Sequence, residues 1–230
     1  MLILGLDSSA KAASCAVYGT DEKKIIAYGG VNVQITHSET LLPLVQSILK
    51  AANLTLNDID AFAVSNGPGS FTGVRIAVSA VKGMAFTLDK PIYAVSTLRS
   101  LAFNLAGYDC IACCLMDARR EQFYSALFDI SDGNVTRLTE DAALSRFEIE
   151  SMLEKYKTRK TILVGDGAEL FYNNTGIKDF LTTAPQQHIH QNAVSVCLAG
   201  QEENPVSAKT LMPFYLRLAQ AERERLKVDS

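Results

Sequence analysis

The stretch Asn66-Gly67-Pro68-Gly69-Ser70-Phe71-Thr72-Gly73-Val74-Arg75 constrains the fold of this chain more than any other. Three glycines and a proline in so short a run make a loop that turns sharply and passes close to something. The loop feeds into an almost uncharged helix, Ile76 to Phe86. The first N–H groups of a helix lack intrahelical partners, so the junction is a ready anion site. Gly67 and Gly69 are its candidate phosphate-binding positions. The helix carries two apolar stripes at helical spacing. Val74, Val78, Val81 and Ala85 form one; Ile76, Ala80 and Met84 form the other. A helix that is apolar on two sides is buried on two sides. One side can cover a sheet of its own domain. The other needs a second partner, and Ala77, Ala80 and Gly83 are small enough to let another helix come close. A helix enclosed in one large core is the alternative.

Around this helix the periodicity predicts a repeated order. Leu2 to Leu6 reads as a strand ended by Asp7-Ser8-Ser9, with strands following over Ser14 to Gly19 and Lys24 to Val33. An amphipathic helix over Thr40 to Ala52, which Ser38 could cap, precedes a buried strand at Ala61 to Ser65. After the glycine-rich loop and its helix come a strand at Pro91 to Val95 and a helix capped by Ser96 or Thr97. Then the opening returns. Ile111 to Met116 is a strand ended by Asp117-Ala118-Arg119-Arg120, and Gln122 to Ile130 is the strand that comes back. A helix over Phe147 to Lys157, a buried strand at Thr161 to Val164 and the turn Gly165-Asp166-Gly167-Ala168 complete the second copy. From Thr182 to Pro213 the chain reads as polar and irregular. Two α/β units in tandem imply a cleft between halves. Asp7 and Asp117, with Ser8 and Ser9, are placed to hold a hydrated magnesium and meet nucleotide phosphates, as in sugar kinases, heat-shock ATPases and actin. An autonomous small-molecule kinase or ATPase using Asp7 and Asp117 is therefore one reading.

Other chemistry has little to work with. The formal net charge is −3, which disfavours a protein that grips nucleic acid by itself. No apolar run approaches the ~20 residues of a membrane span, so no membrane partner is expected. Five cysteines, an odd count, suggest free thiols in a reducing cytoplasm. Cys110-Ile-Ala-Cys113-Cys114 reads as part of a buried strand rather than a redox or metal pair. Of the three histidines, His188 and His190 have no nearby ligand to complete a zinc shell, and His37 reads as structural rather than catalytic. No nucleophile–base pair for a peptidase can be assembled from them.

The stretches ILGLDSS (3–9), HSETLLP (37–43), NGPGSFTGVRIAVSAVKGMA (66–85), MDARREQFY (116–124), GDGAELFY (165–172) and PFYLR (213–217) resemble the TsaB family, formerly called YeaZ. They span nearly the whole chain in order. Ala77 departs from the family, which often has Gly there. The resemblance implies two tandem actin-like domains of the ribonuclease H-like kind, the second reduced. The expected bounds are 1–100 and 101–213, with a helix over about 214–230 packing back on the first. It implies a scaffold or activator without catalytic residues or a metal of its own. By the same resemblance, the subunit is expected to work with the transferase TsaD and the ATPase TsaE in placing threonylcarbamoyl on the adenosine beside the anticodon of tRNAs reading codons that begin with A. Pairing with TsaD, and self-pairing in its absence, would use Gly73, Val74, Ile76, Ala77, Ala80, Val81, Gly83 and Met84. No cofactor is required by this subunit, but ATP or ADP with magnesium could lie at a complex interface. Arg119, Arg120, Arg217 and Arg223 are the candidate edge toward tRNA or a partner.

Overall fold

The computed structural model describes residues 1–32 and 36–217. Val33, Arg223 and most of the helix expected over about 214–230 lie outside the described residues. Strands β1 (Leu2–Asp7), β2 (Ala13–Gly19) and β3 (Lys24–Val31) form an antiparallel meander. Helix α1 (His37–Ala51) leads to β4 (Ala61–Gly67), helix α2 (Phe71–Leu88) and β5 (Ile92–Ser96). The sheet order is β3-β2-β1-β4-β5, with β1, β4 and β5 parallel. Helix α3 (Thr97–Phe103) then carries the chain to a second sheet.

That sheet repeats the first. Strand β6 (Cys110–Asp117) pairs antiparallel with β7 (Gln122–Ser131). After β8 (Asn134–Arg137), β9 (Ala142–Ser145) and α4 (Arg146–Leu153), strand β10 (Thr161–Val164) pairs parallel with β6. Helix α5 (Ala168–Asn174) and β11 (Leu181–Thr183) follow, giving the order β11-β10-β6-β7-β8 with β9 beside β7. Asp7 and Asp117 each end the first strand of their sheet and face the start of the returning strand. The expected duplication is therefore present strand for strand. Short β8, β9 and β11 were not foreseen.

The region 182–213 is a correction. It contains α6 (Gln186–Ile189) and α7 (Ala193–Gly200), and α7 is one of the most buried elements in the molecule. Its sequence, AVSVCLAG, has no polar face and so carries no amphipathic signal. It lies on the first sheet, against Ile3, Ala16, Ala63 and Val95. A Cβ on Gly5 would stand 2.5 Å from the Cys197 sulfur and 2.7 Å from the Ala193 carbonyl, so only glycine admits this approach. The opposite face of the sheet carries α1 and α2 through Leu4, Leu6, Val17, Phe62 and Val64. Helix α3 covers the second sheet with Leu98, Leu101 and Ala102. Asn104 fastens α3 to the approach to α7. Its amide donates to the His188 and His190 carbonyls, and its oxygen accepts from Asn192 and Ser195. Residues 205–214 also return to the first sheet, where Val206 bridges Ile92 and Leu211 is buried. Segments expected in the 101–213 unit thus pack on the first sheet.

One local expectation shifts, and the histidines take their places. Thr36, not Ser38, holds the N-cap position of α1. His37 bonds the Ala10 carbonyl at 2.7 Å, which ties α1 to the β1–β2 turn. His188 lies in the short helix α6, with His190 at its C-cap.

Candidate functional site

The Asp7 turn is closed. Asp7 is fully buried. One carboxylate oxygen accepts from the Ser9 amide at 2.9 Å and the Ser9 hydroxyl at 2.8 Å; the other accepts from Ser65. Burial pushes its carboxyl above the ordinary carboxylate range, against the pull of the Ser65 and Ser9 hydrogen bonds. The Ser8 hydroxyl donates to the Gly73 carbonyl at 2.8 Å. A hydrated magnesium needs carboxylate oxygens facing water. Asp7 offers none, and Ser8 and Ser9 spend their hydroxyls inside the fold. Asp7 does not fit the metal role expected of it.

The glycine-rich loop does pass close to something, and that something is the chain itself. A Cβ on Gly69 would meet the Ser9 carbonyl at 2.4 Å, and one on Gly73 the Ser8 carbonyl at 2.0 Å. Gly67, at φ 125°, makes room for the Phe214 carbonyl, and the Phe214 amide donates to the Asn66 carbonyl at 2.7 Å. The Ser70 amide donates to Ser9, and the Ser70 hydroxyl caps α2 by accepting from the Gly73 amide. Gly67 and Gly69 therefore hold the β1–β2 turn and the returning segment 212–215 where a phosphate was expected.

The second turn is open. Asp117 is exposed and accepts from the Arg119 amide at 2.7 Å, and the Arg217 guanidinium donates to the Ala118 carbonyl at 3.0 Å. Asp166 sits beneath it, its carboxyl raised by burial and lowered by the Gln191 amide that donates at 3.3 Å. So Asp7 and Asp117 occupy matched positions in opposite environments. Sequence reasoning passed over Asp166 as a turn residue, and its link to Gln191 spans 25 positions. Among the described residues no group of three or more His, Cys, Asp or Glu is placed to hold a metal ion.

Helix α2 divides as its two stripes require. Val74, Ala77, Val78, Val81 and Ala85 are buried against the sheet, as is Gly73 against the β1–β2 turn. These are spent within the fold, which removes Gly73, Val74, Ala77 and Val81 from the expected partner face. Ile76, Ala80 and Met84 are half-buried and Gly83 is exposed, with open space around it. A shallow groove lined by Leu41, Leu42, Ile76 and Ala80 runs between α1 and α2. A second, lined by Leu42, Val45, Leu54 and Met84, continues it. Contrary to the expectation that no run approaches a membrane span, the 18 residues of α2 are long and apolar enough to cross one by length and composition alone. Here its inner stripe covers β4 instead.

Comparison with known proteins accounts for this layout. Residues 16–222 match the family model described as TsaD: tRNA N6-adenosine threonylcarbamoyltransferase. The tRNA threonylcarbamoyladenosine biosynthesis protein TsaB of Bacillus subtilis (strain 168) is 33% identical over 226 residues, covering 96% of both chains. The chain belongs to the TsaB family. TsaB of Escherichia coli (strain K12) is 30% identical over 175 residues, covering 73% of this chain and 72% of its own. The solved structure of YeaZ from Pseudomonas aeruginosa superposes with a TM-score of 0.79 at 26% identity, covering 94% of this chain and 99% of that one. The two-sheet α/β fold is thus the TsaB fold, related to that of the transferase. A transferase from Symbiobacterium thermophilum, by contrast, aligns over only 43% of this chain and 33% of its own. The general role is that of TsaB proteins, in threonylcarbamoyladenosine biosynthesis on tRNA.

Proposed function

We propose that this chain is the non-catalytic, cytoplasmic partner subunit of the transferase TsaD, required with TsaE for threonylcarbamoyl transfer to tRNA. The observation that carries the proposal is the outer face of α2. Ile76, Ala80 and Met84 form an apolar strip that the chain's own fold covers only in part, and Gly83 leaves it flat. A partner helix can approach such a strip closely, and α1 supplies the groove wall beside it. In the absence of TsaD the same strip serves a second copy of this chain. ATP or ADP with magnesium, where the complex uses it, would be held at a subunit interface and not by Asp7. The tRNA is met through the complex.

The autonomous kinase reading is weakened, because its first carboxylate is sealed inside the fold. The test is an arginine on the flat strip. Gly83→Arg projects into open space, so the fold is expected to survive. An unpaired charge at the centre of an interface is poorly tolerated. Pull-down of TsaD and light scattering of the free chain should both show loss of pairing. A folded Gly83→Arg protein that still pairs with TsaD would overturn the proposal.

A further inference from the structure

We propose that Phe71, Tyr215 and Arg75, together with the arginines of the β6–β7 turn, form a stacking platform for an unpaired base of single-stranded RNA. The inference rests on the reading above, in which tRNA is the substrate of the complex. The rings of Phe71 and Tyr215 stack with centroids 4.8 Å apart and planes 28° from parallel. The Arg75 guanidinium lies 5.0 Å from the centre of the Phe71 ring. This stack does not close into the core. Phe71 is 37% exposed and Tyr215 40%, and Met212 and Phe214 beside them are exposed as well. Apolar groups gathered at a surface in this way mark an interaction site.

Its surroundings decide the kind of partner. Arg217 lies two residues beyond Tyr215, at most about 7 Å along the chain. Its hydrogen bond to the Ala118 carbonyl brings the β6–β7 turn to the same place. Arg119, Arg120 and Glu121 all take left-handed backbone angles there, and both arginines are exposed. Among the described residues the acids at this turn are Asp117, whose carboxylate accepts from the Arg119 amide, Glu121 next to the arginines in sequence, and the buried Asp166 beneath. Among the described residues, four arginines therefore frame two stacked rings against the two exposed carboxylates of Asp117 and Glu121. An apolar helix docked here would leave guanidinium groups unpaired at its rim. An unpaired base suits both parts, since bases stack on aromatic and guanidinium planes while cations take the phosphates.

The test uses the complex of this chain with TsaD and TsaE and a labelled anticodon stem–loop RNA, titrated at several salt concentrations. Tyr215→Leu keeps an apolar anchor and removes the ring. It should weaken RNA binding about tenfold at every salt concentration, with the salt slope unchanged. Tyr215→Phe should bind as the parent does. Arg119→Ala/Arg120→Ala should flatten the slope of log affinity against log salt by ~0.7 per lost phosphate contact. Salt-dependent RNA binding that is indifferent to Tyr215→Leu and to the arginine pair would overturn the platform alone. Loss of TsaD pairing in Tyr215→Leu, with RNA affinity unmoved, would make the cluster a protein-binding face and overturn it too. No RNA binding by the assembled complex at any salt concentration would sink both the platform and the proposed function.

Discussion

At Asp7 the same residue type, turn and strand position that bind metal in a kinase are used to hold a turn together. The sequence Leu-Asp-Ser-Ser announces a polar turn after a strand. It cannot announce the Ser65 hydroxyl, which comes from 58 positions away and helps bury the carboxylate. An amide can keep these bonds, accepting from Ser9 with its oxygen and donating to Ser65 with its nitrogen. Asp7→Asn is therefore expected to fold, to lie within about 1 kcal/mol of the parent at neutral pH, and to support transfer within roughly tenfold. Loss of a transition-state contact typically costs ~10²-fold or more. Because burial raises the folded-state value above the ordinary 3.8, the protonated form is the one the fold prefers. The parent's stability relative to Asp7→Asn should be greatest below pH 3.8 and should fall as pH rises through the raised value. Denaturant titrations of both proteins across acidic pH check this; a relative stability that climbs with pH would contradict it. Cysteine chemistry belongs to the same scale. Burial pushes Cys110 up to about 11 and Cys15 and Cys113 up to about 12. Thiol reagents should label none of the five cysteines until denaturant is added, since all are buried. Rapid labelling of any one in the native protein would refute this.

Helix α2 was legible because its two stripes differ in phase, and the structure assigns one stripe to the sheet and leaves the other half-covered. Which residues lay on which side was only partly legible. Gly73, Ala77 and Gly83 are all small, yet they have different reasons for being so. Gly73 must admit a backbone carbonyl 2.0 Å from where its Cβ would be, while Gly83 meets nothing within 4 Å. Gly73→Ala should therefore cost about 2 kcal/mol or more, since backbone has to move. Gly83→Ala, measured at equal protein concentration, should gain about 0.5–1 kcal/mol from helix propensity alone. Denaturant midpoints will separate them, and a neutral Gly73→Ala would mean that the Ser8 turn can withdraw from the helix. Helix α7 was illegible for the opposite reason. A helix apolar all round has no phase to detect, and its partner surface, the Gly5 gap, belongs to the other end of the chain.

Across the whole molecule, two similar sheets are joined by helices that belong to neither sequence half alone. Helix α3 covers the second sheet and α7 the first, and Asn104 binds the two with all of its amide. Arg99 reinforces the joint through Glu202 at 2.5 Å and through Glu203. Asn104→Ala leaves the buried Ser195 hydroxyl and three part-buried groups without their partner and should lower stability by about 1–3 kcal/mol. Hydrogen exchange should then quicken over residues 186–200 before it quickens in the sheets; uniform loss of protection would mean that the joint is not a separate unit. The closed first turn, the open second one and the flat strip of α2 together favour a subunit that acts through a partner. Transfer of threonylcarbamoyl to tRNA by TsaD and TsaE, with and without this chain, tests that claim most directly when ATP turnover by the chain alone is followed in parallel. The expected result is no turnover by the chain alone, transfer only when it is added, and no rescue by Gly83→Arg. Steady ATP turnover by the isolated chain, or full transfer in its absence, would contradict it.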